Sequence, residues 1–262
     1  MGRRLPAWAT ASISAAGLIV VWTILALTVV GPGGTHAIPT PWQVLQGYSE
    51  DGLSFYWTHF SVTLKEASLG YLWGNGLALV LSGLVMVIPR LEGVVSQLAV
   101  ITYCVPIVAI GPLAVIILDV PSKGEPSGTA VFMAALSVFF TTVVGSLLGL
   151  HAADKASLDV VSVYGGNGWT QLRKVRFVAA LPAVLTALQI AVPAAFLGAV
   201  LGEYFGKVET GIGVAMVIAQ QSLNAPRVWG IALASGAVAL VLYLAVGMLT
   251  RLATPWSKGA AA

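Results

Sequence analysis

The feature that most constrains this chain is a series of apolar runs, each roughly 20 residues long, separated by short polar stretches. The first, Trp8 to Val30, contains no charged residue. A run of that length fits a helix crossing the hydrocarbon core of a bilayer, where every backbone polar group must be satisfied internally. Strands of a membrane barrel are about half as long and alternate in polarity, which these runs do not. Only 9% of the 262 residues are charged and 58% are hydrophobic, with a mean hydropathy of +0.91. A soluble domain of this size needs more charge at its surface, so the chain reads as an all-α membrane protein.

Six spans are expected, at about Trp8–Val30, Gly70–Ile88, Val94–Leu118, Gly128–Leu150, Ala183–Leu201 and Val228–Leu249. They form one membrane domain over 1–262, with no room for a soluble catalytic domain. The first run is too long for a signal-peptide core and lacks a clear small-residue cleavage site, so it reads as an uncleaved helix. Gly31 to Tyr56 reads as a polar loop bearing proline and glycine. Trp57, Phe60, Leu64, Ala67 and Tyr71 then recur at helical spacing, with His59, Thr63, Lys65 and Glu66 off that stripe. This pattern predicts an amphipathic lead-in lying at the interface before the second span. Pro106 and Pro112 interrupt the third span, and Gly111 and Ala109 leave room for a cavity beside them. Such a break is tolerated at membrane depth where protein or a water-filled cavity satisfies the backbone, so both prolines are candidates for lining a pathway. Gly206 to Arg227 reads as a mixed loop containing Gly211-Ile212-Gly213.

The basic residues orient these spans. With the N-terminus inside, Arg3, Arg4, Arg90, Lys155, Arg173, Lys174, Arg176, Arg251 and Lys258 fall on the inner side. Lys123, Lys207 and Arg227 fall outside, with Lys65 near the outer interface, which satisfies the positive-inside rule. The net charge of +3 and pI near 9.1 are thereby topology signals rather than a nucleic-acid surface.

Little in the chain carries chemistry. The lone Cys104 lies in an apolar run and can form no internal disulfide. No G-x-x-x-x-G-K-[ST] phosphate loop, H-E-x-x-H or C-x-x-C motif occurs, and His36, His59 and His151 have no metal spacing. Intramembrane carboxylates are scarce and internal repeats are not evident, which argues against the main alternative, an ion-coupled secondary carrier. A membrane scaffold without a pathway is a third reading, opposed by the proline-broken span. The exception among the acids is Glu203, at the end of the fifth span. An ionisable group at membrane depth is a functional candidate, and the simpler alternative is a carboxylate reaching outer water or a neighbouring N–H.

The longest segment that cannot sit in lipid is Asp154 to Pro182. Leu158, Val161 and Tyr164, then Trp169, Leu172 and Val175, recur at helical spacing and predict two short helices. Gly165-Gly166-Asn167-Gly168 between them is a turn signal permitting positive φ and close backbone approach. The Arg173-Lys174-Arg176 cluster serves as a topology anchor or meets an acidic partner surface. A polar helix-turn-helix hung between spans is more than a connector needs, and reads as a docking element.

This segment resembles the signature loop of the membrane-spanning permease subunits of bacterial ABC importers. That loop runs E-A-A, three residues, glycine, nine residues, an apolar residue, one residue, then Leu-Pro. Aligned on Gly165, the acid is Asp159, the alanines are Val160 and Val161, and the apolar position is Val175. The closing Leu-Pro positions hold Phe177-Val178, while Leu181-Pro182 is similar to a second Leu-Pro of the nitrate, sulfonate and taurine subfamily. Gln171 to Val175 with Ala179 to Pro182, and Glu203 followed by Gly211-Ile212-Gly213, also resemble that subfamily. The resemblance covers roughly Phe60 to Leu249.

The resemblance implies a type I ABC importer permease fold with six transmembrane helices and cytoplasmic coupling helices, a core at about 57–250 and a coupling loop at 154–182. It implies Asp159, Gly165, Gly166, Trp169, Arg173, Lys174 and Pro182 as the ATPase-coupling residues, and Pro106, Pro112 and Glu203 at the translocation pathway. The implied protein is not an enzyme and holds no metal or cofactor, since ATP and Mg belong to a separate cytoplasmic ABC ATPase dimer. Its other implied partners are an extracytoplasmic substrate-binding protein, a second permease copy forming a homodimer, and membrane lipid. The implied cargo is a small organic anion or related compound crossing the inner membrane, with both termini cytoplasmic.

Overall fold

A computed structural model describes residues 6–29, 37–118, 125–206 and 208–256. Among the described residues the chain forms ten α-helices and no strand. These are α1 (Ala7–Thr28), α2 (Pro41–Val87), α3 (Glu92–Cys104), α4 (Ile107–Leu118), α5 (Gly128–Leu150), α6 (Lys155–Val163), α7 (Gly168–Gln171), α8 (Phe177–Phe205), α9 (Ile212–Gln221) and α10 (Ala225–Ala253). A five-residue π turn, Leu172–Arg176, joins α7 to α8.

The bundle is built around α5, which buries 11 of its 23 residues and is held between α2 and α8. Lipid tails are as apolar as leucine, so helix association in a membrane depends on close packing and interhelical polar contacts. Small residues supply the closeness. Gly70 and Gly74 of α2 face α5, where a Cβ on Gly74 would stand 2.3 Å from the Ala135 carbonyl oxygen. On the other side Gly198 and Gly202 of α8 face α5, and a Cβ on Gly202 would stand 2.4 Å from Ala130 Cα. Polar contacts supply the rest: the Thr142 hydroxyl donates to Asn75 Oδ1 at 2.5 Å, across the α2–α5 seam.

Aromatic residues close the far end of this bundle, opposite the α6–α7 segment. Phe60 stacks on Phe196 at 6.2 Å, within a cluster that includes Ala67, Ala199, Ile212 and Ile231. There α2 is kinked at Gly52, whose φ of 72° breaks the helix direction. Beside the kink Asp51 accepts from the Arg227 guanidinium of α10, and Tyr48 O–H donates to the Gly230 carbonyl at 2.7 Å. By contrast α10 buries only Gly230, Ile231 and Gly247. The peripheral α1 reaches the bundle through Trp22, which stacks on Trp229 at 5.8 Å and donates to the Pro39 carbonyl at 3.0 Å.

Several sequence expectations are corrected here. The loop expected over Gly31 to Tyr56 is helical from Pro41 onward, because Thr40 and Gln43 form a reciprocal capping box with Pro41 at the first helical position. The lead-in and second span are therefore one helix of 47 residues. The mixed loop expected over Gly206 to Arg227 contains the helix α9. The third span is not a kinked rod: α3 and α4 meet at 93° across Val105-Pro106. By length and composition four helical stretches can cross a membrane, or five if the bent pair counts as one span. Most of the expected outer loop at Asp119–Ser127, and Arg3, Arg4, Lys207 and Lys258, lie outside the described residues.

Candidate functional site

The Asp154–Pro182 segment folds as a hairpin at one end of the bundle. The helix α6 ends in a Schellman arrangement: Gly166 N–H donates to Val161 O at 2.8 Å and Gly165 N–H to Ser162 O at 3.0 Å. Gly165 has φ +77°, which glycine adopts without a Cβ clash. Gly166 serves differently, since a Cβ there would stand 2.4 Å from Val161 Cγ1. Asn167 caps α7 by accepting from Thr170 N–H at 3.0 Å. Gln171 Nε2 then ties the halves together, donating to Leu158 O at 3.0 Å and Ser162 Oγ at 2.8 Å.

Among the described residues nothing covers this hairpin. Neither α6 nor α7 has a buried residue, and Val163, Tyr164 and Trp169 are 83%, 87% and 64% exposed. Arg173 and Lys174 are exposed and have no acidic partner among the described residues. Asp159 sits mid-helix on the exposed surface of α6, not at a helix terminus. Pro182 lies inside α8, six residues beyond the end of the π turn. The second half of the segment is no separate helix: α7, the π turn and α8 form one stretch of 38 residues. A π turn inside a longer helix commonly marks a functional position.

At the opposite end, Glu203 is 1% exposed and faces inward. Thr63 O–H donates to its Oε1 at 2.5 Å, and Gly213 N–H to its Oε2 at 2.6 Å. Thr63 Oγ1 in turn accepts from Ile212 N–H at 2.9 Å. A second acid joins this site: Glu66 of α2, also 1% exposed, accepts from Ser127 N–H at 2.6 Å. The close fit requires Gly211 and Gly213, where a Cβ would stand 2.4 Å and 2.8 Å from the Glu203 side chain. Pro106 and Pro112 stand apart, exposed on the bent α3–α4 pair. The room expected at Gly111 is filled by the Phe205 ring, 2.5 Å from where a Cβ would stand.

Residues 74–258 match the family described as the binding-protein-dependent transport system inner membrane component. The chain belongs to that family. It is similar to a Haemophilus influenzae protein described as an ABC transporter permease, 29% identical over 88% of this chain and 91% of that protein. The formylaminopyrimidine transport permease protein of Halalkalibacterium halodurans is 26% identical over 92% of this chain and 93% of its own length. A Bacillus subtilis protein described as an aliphatic sulfonates transport permease is 25% identical over 95% and 85%. The chain is therefore a multi-pass inner-membrane permease subunit of an ABC importer, and not a catalyst.

One feature of this permease escapes the reading of α2 as an amphipathic lead-in. Thr63 and Glu66, assigned to its polar outer face, are buried, while Trp57 is exposed. In lipid the polar and small face turns inward, because only protein can satisfy it. The spacing Thr63, Glu66, Gly70, Gly74 carries that signal at helical period.

Proposed function

We propose that this permease works as one half of a two-fold pair of identical copies, forming between them a pathway for a small organic anion or related compound. The names of its relatives, aliphatic sulfonates and formylaminopyrimidine among them, support that solute class. One membrane domain spans 1–262, with its core at about 57–250 and the hairpin 154–182 on the cytoplasmic side with both termini. A cytoplasmic ABC ATPase dimer holds the ATP and Mg, and an extracytoplasmic binding protein delivers the solute. The bent α3–α4 pair, with Pro106 and Pro112, faces the second copy, and Glu203 braces the wall from within.

The observation that carries this reading is the uncovered hairpin. Val163, Tyr164 and Trp169 expose apolar surface in the same hairpin as Arg173 and Lys174, which have no acidic partner among the described residues. Exposed apolar surface rimmed by charge marks an interaction site. ATPase subunits closing on ATP would seat this surface, and the continuous stretch of α7, the π turn and α8 would carry the displacement into the membrane. Asp159, Gly165, Gly166 and Pro182 shape the hairpin and that stretch.

The test is solute-stimulated ATP hydrolysis in liposomes, with co-purification of the ATPase. Gly165→Val with Gly166→Val is expected to leave insertion normal and to abolish ATPase association or its response to the loaded binding protein. Parent-like transport by that variant would refute the coupling role. Orientation is read separately in a Cys104→Ser background. On intact cells an impermeant thiol reagent is expected to label Ser222→Cys and to spare Ser162→Cys.

A further inference from the structure

The seam between α8 and α10 is only partly filled by the side chains of the two helices. Toward the hairpin end lies a cleft of about 230 Å³, to which α8 brings Thr186 and Gln189 and α10 brings Gly247, Thr250 and Arg251. Gly247 lets Gln189 reach across: a Cβ there would stand 2.4 Å from Gln189 Nε2, which donates to the Tyr243 carbonyl at 3.4 Å. The hydroxyls are engaged within their own helices, Thr186 donating to Pro182 O at 2.8 Å and Thr250 to Val246 O at 3.0 Å. Arg251 differs. It stands exposed in the last turn of α10, with no hydrogen-bond or ion-pair partner among the described residues. The sequence after it, Leu252 to Ala262, carries no acidic side chain. The cleft therefore presents unused donors on a permanent cation, in the fork geometry that holds a phosphate by two parallel bonds.

Further along the same seam the lining turns apolar. A groove of about 310 Å³ lies between Val192 and Phe196 of α8, Leu242 and Val246 of α10, and Leu64 and Tyr71 of α2. Val246 belongs to both places, since it lines the groove and its carbonyl takes the Thr250 hydroxyl of the cleft. From Arg251 to Leu242 is about 13 Å along α10, within the roughly 15 Å depth of one leaflet's hydrocarbon. We propose that this seam binds one anionic phospholipid, its phosphate on Arg251 and an acyl chain in the groove. A cation at the end of a membrane helix, with an apolar groove leading away from it, fits both parts of that molecule. A soluble anion would leave the groove unfilled, and a zwitterionic lipid would bring a second cation to Arg251. Trp256, 55% exposed just beyond α10, suits the headgroup level at that boundary. The lipid also supplies packing that α10 lacks, for this helix buries only Gly230, Ile231 and Gly247. Only the choice of leaflet depends on the orientation proposed above.

Binding is read on delipidated permease in detergent, where orientation plays no part, by native mass spectrometry and by the thermal unfolding midpoint. Phosphatidylglycerol is expected to stay bound and to raise the midpoint, with phosphatidylcholine of the same acyl chains needing several-fold higher concentration. Arg251→Gln is expected to weaken phosphatidylglycerol binding several-fold. Arg90→Gln, in the turn after α2 and not lining the cleft, is expected to leave it unchanged. Glycerol 3-phosphate, which carries the phosphate without a chain, is expected neither to raise the midpoint nor to displace the lipid at equal concentration. Equal binding of the two lipids, parent-like binding by Arg251→Gln, or an equal loss with Arg90→Gln refutes the site. Stabilisation by glycerol 3-phosphate matching that by phosphatidylglycerol would reveal a soluble-anion site and refute the lipid. Exclusion of phosphatidylglycerol from a purified two-fold pair would show the seam covered by the second copy, and refutes the proposal equally.

Discussion

The seam along α5 and the α6–α7 hairpin both depend on glycine, for opposite reasons. In the seam Gly70, Gly74, Gly198 and Gly202 sit in ordinary helix, and what matters is the missing Cβ, whose place is taken by a neighbouring backbone. In the hairpin Gly165 has open space around it, and what matters is its positive φ. The seam is a packing device that holds the fold together without a hydrophobic driving force. The hairpin is a conformational device that presents a surface the fold itself does not use. Glycine can therefore serve a membrane protein's packing at one site and the backbone conformation of an exposed turn at another, and the surrounding atoms tell which.

Substitutions can break or sharpen this contrast. The largest expected effect is in the seam: Gly202→Leu or Gly74→Leu drives a side chain into backbone that cannot move aside, costing about 3 kcal/mol or more. Gly76→Leu and Gly83→Leu, which meet nothing within 4 Å, are expected to leave the thermal unfolding midpoint in detergent unchanged. Equal losses at all four positions would show that close approach is not what the seam glycines provide.

Next in size is the far-end ion pair. Asp51 is 2% exposed and Arg227 35% exposed, so the two partners are not equivalent. Arg227→Ala strands a buried carboxylate and is expected to cost about 2 kcal/mol. Asp51→Ala leaves an arginine able to turn to water and is expected to cost clearly less, read as the order of the two unfolding midpoints. Then comes the hairpin: Gly165→Val alone strains a left-handed residue by about 1–2 kcal/mol locally, with the unfolding midpoint of the bundle kept and ATPase coupling lost. The smallest effect is expected of Asp159→Ala. Its side chain is exposed and has no ion-pair partner among the described residues, so stability changes by less than about 0.5 kcal/mol and only ATPase affinity falls.

The two regions also differ in how far they can be read from the chain alone. The hairpin was legible because its signals are local: a polar segment between apolar runs, helical spacing, and a glycine-rich turn. The start of α2 was equally legible in Thr40-Pro41-Trp42-Gln43, but a polar stretch bearing proline and glycine favours a loop reading unless the capping box is weighed against it. Glu203 stood out as an acid ending a span, yet the second buried acid, Glu66, did not. Glu66 lies 137 positions away and beside Lys65, in a stretch that reads equally well as a surface stripe.

What the sequence by itself determined is the class of solvent and the order of the elements. Runs of apolar residues long enough to cross a bilayer must be helices, since no other open structure satisfies its own backbone there. Their order, the uneven distribution of basic residues and the polar hairpin follow from residue types close together in the chain. Which faces of those helices turn inward was decided only by tertiary structure. In lipid both faces of a helix can be apolar, so hydrophobic periodicity no longer marks the core. Burial is settled instead by whether a glycine finds a backbone to approach, and whether Thr63, Asn75, Glu66 and Glu203 find partners contributed by distant elements.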